Sequence, residues 1–286
     1  MASMRDIKGR IKSIKSTKQI TKAMMLVSSV KLQKERAKFE KNKSYVAKMK
    51  DVIVSIAESS KSIESVYLKN PTKIKKIAYI VITSDRGLCG GYNQNVFKEI
   101  MKVRNKDKEE TYFAIGRKVK MFLSRQNMHI EKSYSGISEG PQYSDAKGIG
   151  EIAIKMYKEG EFDELKLIYT SFHSIINQEV VTYDLLPIKI EKLEKVEEKY
   201  KSELYFEPSN DVVFDYLIPK YIYSILYGSM IESSVCEEAS RMTAMDNATE
   251  NANEIIDGLT LKFNRVRQAA ITKELTEIVS GANALQ

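Results

Sequence analysis

Two cysteines, two histidines and no tryptophan stand in the 286 residues. So few sulfur and imidazole groups, namely Cys89, Cys236, His129 and His173, allow neither a disulfide framework nor a zinc-type ligand set, and they suit a reducing compartment. Proline is scarce too: residues 1–70 hold none, and Gly9 is their single glycine. No apolar run is long enough to span a bilayer. The greasiest, YLIPKYIYSILYGSMI, is interrupted by Pro219 and Lys220, and the opening MASMRDIKGR leads into no apolar leader core, so direct membrane insertion is not expected. What is present, 43% hydrophobic and 29% charged residues, suits one or two folded units rather than a disordered chain.

Charge is unevenly placed. Residues 1–50 carry 15 Lys/Arg against Asp6, Glu35 and Glu40, which leaves −4 for the rest of a chain whose total is +8. A basic end of this kind fits nucleic acid or an acidic surface. It equally fits a solvated helix face that meets an acidic helix, and Glu232–Asp257 supplies seven acids against Arg241 as such a mate.

The proline-free start reads as one long helix, with Ser3 and Asp6 at capping-box spacing. Its apolar seam is expected through Met4, Ile7, Ile11 and Ile14, then after a phase shift through Ile20, Met24 and Val27, and later through Tyr45, Met49, Val52 and Ile56. From about residue 210 the pattern returns, with Ala252, Ile255, Leu259, Phe263, Val266 and Ala270 stepping by three or four. The middle alternates: IAYIVIT, YFAIG, HIEKSY, LKLIYTSF and EVVTYDLLPIKI read as strands, with helices between them. The expected fold is therefore α/β: a long antiparallel two-helix coiled coil from residues 1–70 and 210–286, and a central Rossmann-like, mostly parallel α/β domain at 74–206. An antiparallel hairpin is expected around SIINQ. Helices of roughly 55 and 70 residues would be about 80 and 105 Å long, far beyond a radius of gyration of about 19 Å for a compact chain of this size, so they are expected to protrude.

Between the first strand and its helix lies TSDRGLCGGYN, residues 83–93. Ligands of open α/β sheets bind beyond the carboxyl ends of strands, which makes a phosphate cradle worth testing. Gly87, Gly90 and Gly91 match neither the Walker nor the dinucleotide spacing, no lysine follows, and Cys89 has no histidine base nearby in sequence. A tight turn in which glycines take positive φ is the plainer reading.

Three stretches, IKGRIKSIKSTKQITKAMMLVSSVKLQK, TSDRGLCGGYN and ASRMTAMDNATENANEIIDGLTLKFNRVRQAAITKELTEIVSGANAL, together resemble the gamma subunit of F-type ATP synthases, the central rotor stalk, over nearly the whole chain. The resemblance implies a non-catalytic subunit that couples ion-driven rotation of a membrane ring to ATP synthesis or hydrolysis, with no cofactor of its own. The implied partners are the catalytic alpha/beta subunit ring, the epsilon subunit and the membrane ring of c subunits, at the cytoplasmic face of the cell membrane. It places Met24 and Arg241 at a mid-rod contact with a catalytic subunit's lever, and Arg267, Gln268, Thr272 and Glu274 at an upper catch loop. Tyr205, Phe206 and Glu207 are placed near polar loops of the membrane ring. The alternatives are a nucleic-acid-binding coiled-coil protein that uses the basic first helix, and an α/β enzyme that uses the glycine turn.

Overall fold

The computed structural model describes residues 4–59, 65–69, 71, 73–105, 107–189, 207 and 209–284. The first helix, α1 (Met4–Ser59), runs without a break; Ser3 lies outside the described residues. Its inward stripe keeps one phase throughout, every seventh residue from Ile7 through Ile14, Thr21, Ser28, Glu35, Asn42 and Met49 to Ile56 being buried or half-buried. The phase shift expected from the apolar residues does not occur, and Ile20, Val27 and Tyr45 are more than half exposed. The seam instead passes through polar side chains. Three of them have partners: Thr21 Oγ1 donates to Lys18 O and meets Thr249 Oγ1 at 2.7 Å, Glu35 takes Lys38 at 2.9 Å, and Asn42 Nδ2 donates to Ser224 O at 3.4 Å. A polar group whose hydrogen bonds are satisfied costs little inside, so a continuous repeat is compatible with burying Thr21, Glu35 and Asn42.

The chain divides into two compact units, residues 1–28 with 241–286, and residues 29–240. In the first, the start of α1 pairs antiparallel with the last part of α5 (Asn210–Ala284). The Thr21–Thr249 pair sets the register, so that position i faces about 270 − i. Met245 and Ala252 are buried here, and the inward position next along is the half-buried Ile256 rather than Ile255, which is 49% exposed. Cysteines placed at Thr21 and Thr249, with Cys89 and Cys236 replaced by serine, are expected to form a disulfide readily, because facing seam positions meet the Cα separation of about 4.4 to 6.8 Å that the bond requires. Cross-linking of Thr21→Cys only to positions ten or more residues from 249 would contradict the register.

The second unit is built on a five-stranded sheet: β1 (Lys76–Ile82), β2 (Glu109–Ile115), β3 (Ile130–Tyr134), β4 (Glu164–Phe172) and β5 (Gln178–Leu186), in the order β3-β2-β1-β4-β5. All neighbours are parallel except β4 and β5, the expected hairpin. Both faces are covered, which is why β1 reads KIAYIVI with almost no polar residue. Ile77, Tyr79 and Val81 point to one side, into a core with α2 (Tyr92–Val103) and α3 (Arg117–Arg125). Ala78, Ile80 and Ile82 point to the other, into a core with α4 (Tyr143–Lys158), Ile53 and Ile56 of α1, and Phe214 to Met230 of α5. Pro219 stands inside α5. The break it would favour is resisted by burial of Phe214, Ile218, Tyr221 and Ile222 on either side of it, each of which stabilises by about 1.5–3 kcal/mol.

Candidate functional site

In an open sheet of this order a ligand would sit where the connections leave in opposite directions, beyond the carboxyl ends of β1 and β4. The glycine-rich turn lies there, between β1 and α2. Gly90 takes φ 56° and Leu88 φ 63°, whereas Gly91 is in the right-handed region at φ −84° as the first residue before α2. Gly90 is thus the glycine of this turn that uses positive φ, and a leucine shares the left-handed region with it.

The turn is held from inside by its own side chains. Ser84 Oγ donates to Arg86 O at 2.6 Å, Asn93 Oδ1 accepts from Ser84 N at 3.1 Å, and Asn93 Nδ2 lies 3.2 Å from Cys89 Sγ. Asp85, 7% exposed, accepts from three backbone amides: Arg117 N at 3.0 Å, Gly136 N at 2.8 Å and Ser138 N at 3.3 Å. It also takes Ser138 Oγ at 2.9 Å. One carboxylate therefore joins three loops at the carboxyl edge of the sheet and occupies the amino end of α3, a position that favours an anion. Gly116, just before α3, takes φ 98°, and a Cβ there would collide with Thr83 O.

The crevice itself is filled by α5. Glu232 Oε1 accepts from Phe172 N and Ser171 Oγ, both at 2.8 Å, Ser233 Oγ accepts from Thr170 N, and Cys236 Sγ lies 3.5 Å from Thr170 O. Cys236 packs with Cys89 and Tyr92 in one buried cluster. Burial pushes the Cys236 thiol and the Tyr92 hydroxyl well up, and it raises the Glu232 carboxyl against the pull of its two hydrogen bonds. A thiol held this way is a packing group rather than a nucleophile.

The residues that the resemblance singled out fall into three groups. Met24 is half-buried on α1, and Arg241 is buried, at 6% exposed. Arg267, Gln268, Thr272 and Glu274 are exposed within two turns of α5. Beyond half-buried Ala270 every described side chain to Gly281 is exposed, among them Ile271, Leu275, Ile278 and Val279. Glu207 is exposed, while Tyr205 and Phe206 lie outside the described residues. Sequence reasoning missed Asp85, Asn93, Ser138 and Glu232. An acid three residues past the first strand was the available signal for Asp85; nothing local marks Glu232.

Within the second unit, α5 closes the crevice where a sheet of this order would take a ligand. The ATP synthase family model matches residues 3–285. The ATP synthase gamma chain of Alkaliphilus metalliredigens is 46% identical over 99% of both chains. Among solved structures, a chain of the Tetrahymena thermophila mitochondrial ATP synthase central stalk and c-ring gives a TM-score of 0.58 at 26% identity, over 80% of this chain and 99% of that one. A chain of the Euglena gracilis mitochondrial ATP synthase gives 0.69 at 16% identity, over 99% and 94%, a likeness of fold. The chain belongs to the gamma-chain family of ATP synthases, as a central-stalk subunit. Nothing in these likenesses supports the nucleic-acid reading of the basic helix.

Proposed function

We propose that the chain is the non-catalytic rotor of its complex. Its helix pair turns inside the ring of catalytic alpha and beta subunits, and its α/β body meets the epsilon subunit and the membrane ring of c subunits at the cytoplasmic face of the membrane. The observation that carries this reading is the crevice of the sheet, where Glu232, Ser233 and Cys236 of α5 occupy the place a nucleotide would take. Among the described residues no helix is long and apolar enough to cross a membrane, which suits a peripheral position. Exposed Arg267, Gln268, Thr272 and Glu274 are the groups offered to a catch loop on the catalytic ring. Met24 is offered to a lever lower down, while buried Arg241 shapes the surface there rather than presenting its own side chain. Tyr205, Phe206 and Glu207 are assigned to the membrane ring.

The isolated chain is expected to take up no ATP in calorimetry at micromolar concentrations, and to co-purify from native membranes with catalytic and c subunits. Nucleotide uptake that Gly90→Ala abolishes would overturn the non-catalytic reading. Isolation without those subunits would overturn the assigned partners.

A further inference from the structure

Glu139 stands in the loop between β3 and α4, and its two carboxylate oxygens serve different elements. Oε2 lies 2.7 Å from Lys31 Nζ on α1, and Oε1 lies 3.1 Å from Arg86 Nε on the glycine-rich turn. Lys31 Nζ is in turn 3.7 Å from Glu238 Oε1 on α5. The loop that carries Glu139 is stiff. Gly136 N, Ser138 N and Ser138 Oγ are all bound to Asp85, and Gln142 closes a capping box with Asp145 at the start of α4. A displacement of Lys31 is therefore resisted by the sheet edge rather than by a pliable loop.

Two other ties between α1 and the α/β part of this unit differ in kind. Arg36 lies over the Phe172 ring at 5.9 Å, and Ile53 and Ile56 enter the apolar core. Burial of Ile53 and Ile56 fixes the inward face of α1 at that end of the unit, because turning the helix would expose them, but Lys31 lies more than twenty residues away. A short charge-assisted hydrogen bond set off the helix axis opposes turning at the Lys31 end. We propose that Glu139 is a positioning residue that holds α1 against twist relative to the sheet, acting through Lys31 and Arg86. The proposal rests on the rotor reading above, since a joint against twist has work to do only in a chain that carries torque.

The test uses the assembled catalytic complex, with the cysteines of its other subunits replaced, and a bead on Lys120→Cys, an exposed position on α3; within this chain Cys89 and Cys236 are buried. The angular spread of the bead is recorded while the rotor is paused. Glu139→Gln and Lys31→Met are each expected to widen its variance about 1.5-fold, a modest change because the pair is partly exposed and screened. The double variant is expected to be no wider than either single one, and Lys31→Arg is expected to keep the original width. ATP hydrolysis without load should stay unchanged in all of them. An unchanged variance in Glu139→Gln, or a double variant that adds the two effects, overturns the joint while leaving the rotor reading intact. If the parent complex shows no ATP-driven turning of the label, the rotor reading falls and the joint falls with it.

Discussion

Backbone amides from Ile271 to Val279 are expected to exchange with solvent within seconds in the isolated chain and to slow by orders of magnitude on assembly. The expectation follows from exposure: past half-buried Ala270 every described side chain of α5 to Gly281 is exposed. Accordingly Ile271 is 49%, Leu275 58%, Ile278 68% and Val279 58% exposed. A single helix of this length without tertiary contacts is marginal in water. Burying each of these side chains against a partner would stabilise by about 1.5–3 kcal/mol, so the tail gains its order from assembly. Replacing Ile271, Leu275 and Ile278 by serine should weaken assembly strongly and shift the stability of the free chain by no more than about 0.5 kcal/mol per residue, as at other exposed positions. Slow exchange in the isolated chain, or a large loss of its stability in the serine variant, would show that the tail is covered by its own chain.

Asp85→Ala is expected to be among the most damaging single substitutions in the α/β body, at about 3–5 kcal/mol in urea unfolding of the isolated chain. The carboxylate satisfies Arg117 N, Gly136 N and Ser138 N, and the alanine variant would leave those amides facing a void at the edge of the sheet. Against a total stability of about 5–15 kcal/mol, a loss of that size leaves a domain scarcely folded. Asp85→Asn should fall between, because it keeps one acceptor oxygen but turns donors toward donors. A loss under about 1 kcal/mol for Asp85→Ala would mean that water replaces the carboxylate, and its role in joining the three loops would have to be abandoned.

Helices, strands and their order were legible because each is written in a local period. Lys76–Ile82 is apolar almost throughout, as a strand covered on both faces must be, and Tyr92–Val103 and Tyr143–Lys158 carry their apolar residues on one helical face. The hairpin at β4 and β5 followed from the shortness of the connection. The seam of α1 was misread for a physical reason. Apolarity is a good guide to the inward side only while the inward side is apolar, and here Thr21, Ser28, Glu35 and Asn42 are inside whereas Ile20, Val27 and Tyr45 are outside. Whether a threonine or an asparagine can go inside depends on a partner far along the chain, Thr249 for one and Ser224 for the other. No local pattern contains that information.

By itself the sequence determined the element types, the alternation that makes a parallel sheet, the two proline-poor helices at the ends and the family that these residues resemble. These follow from spacing and backbone chemistry within a few turns or a single strand. Only the tertiary structure decided that α5 fills the crevice at the carboxyl ends of β1 and β4, that Asp85 joins three loops, and that Glu139 reaches both Lys31 and Arg86. Each of these is a meeting of residues distant in sequence, between 32 and 108 positions apart in the contacts that define them. A hydrogen bond or ion pair depends on distances of about 3 Å, and those distances exist only once the whole chain has folded.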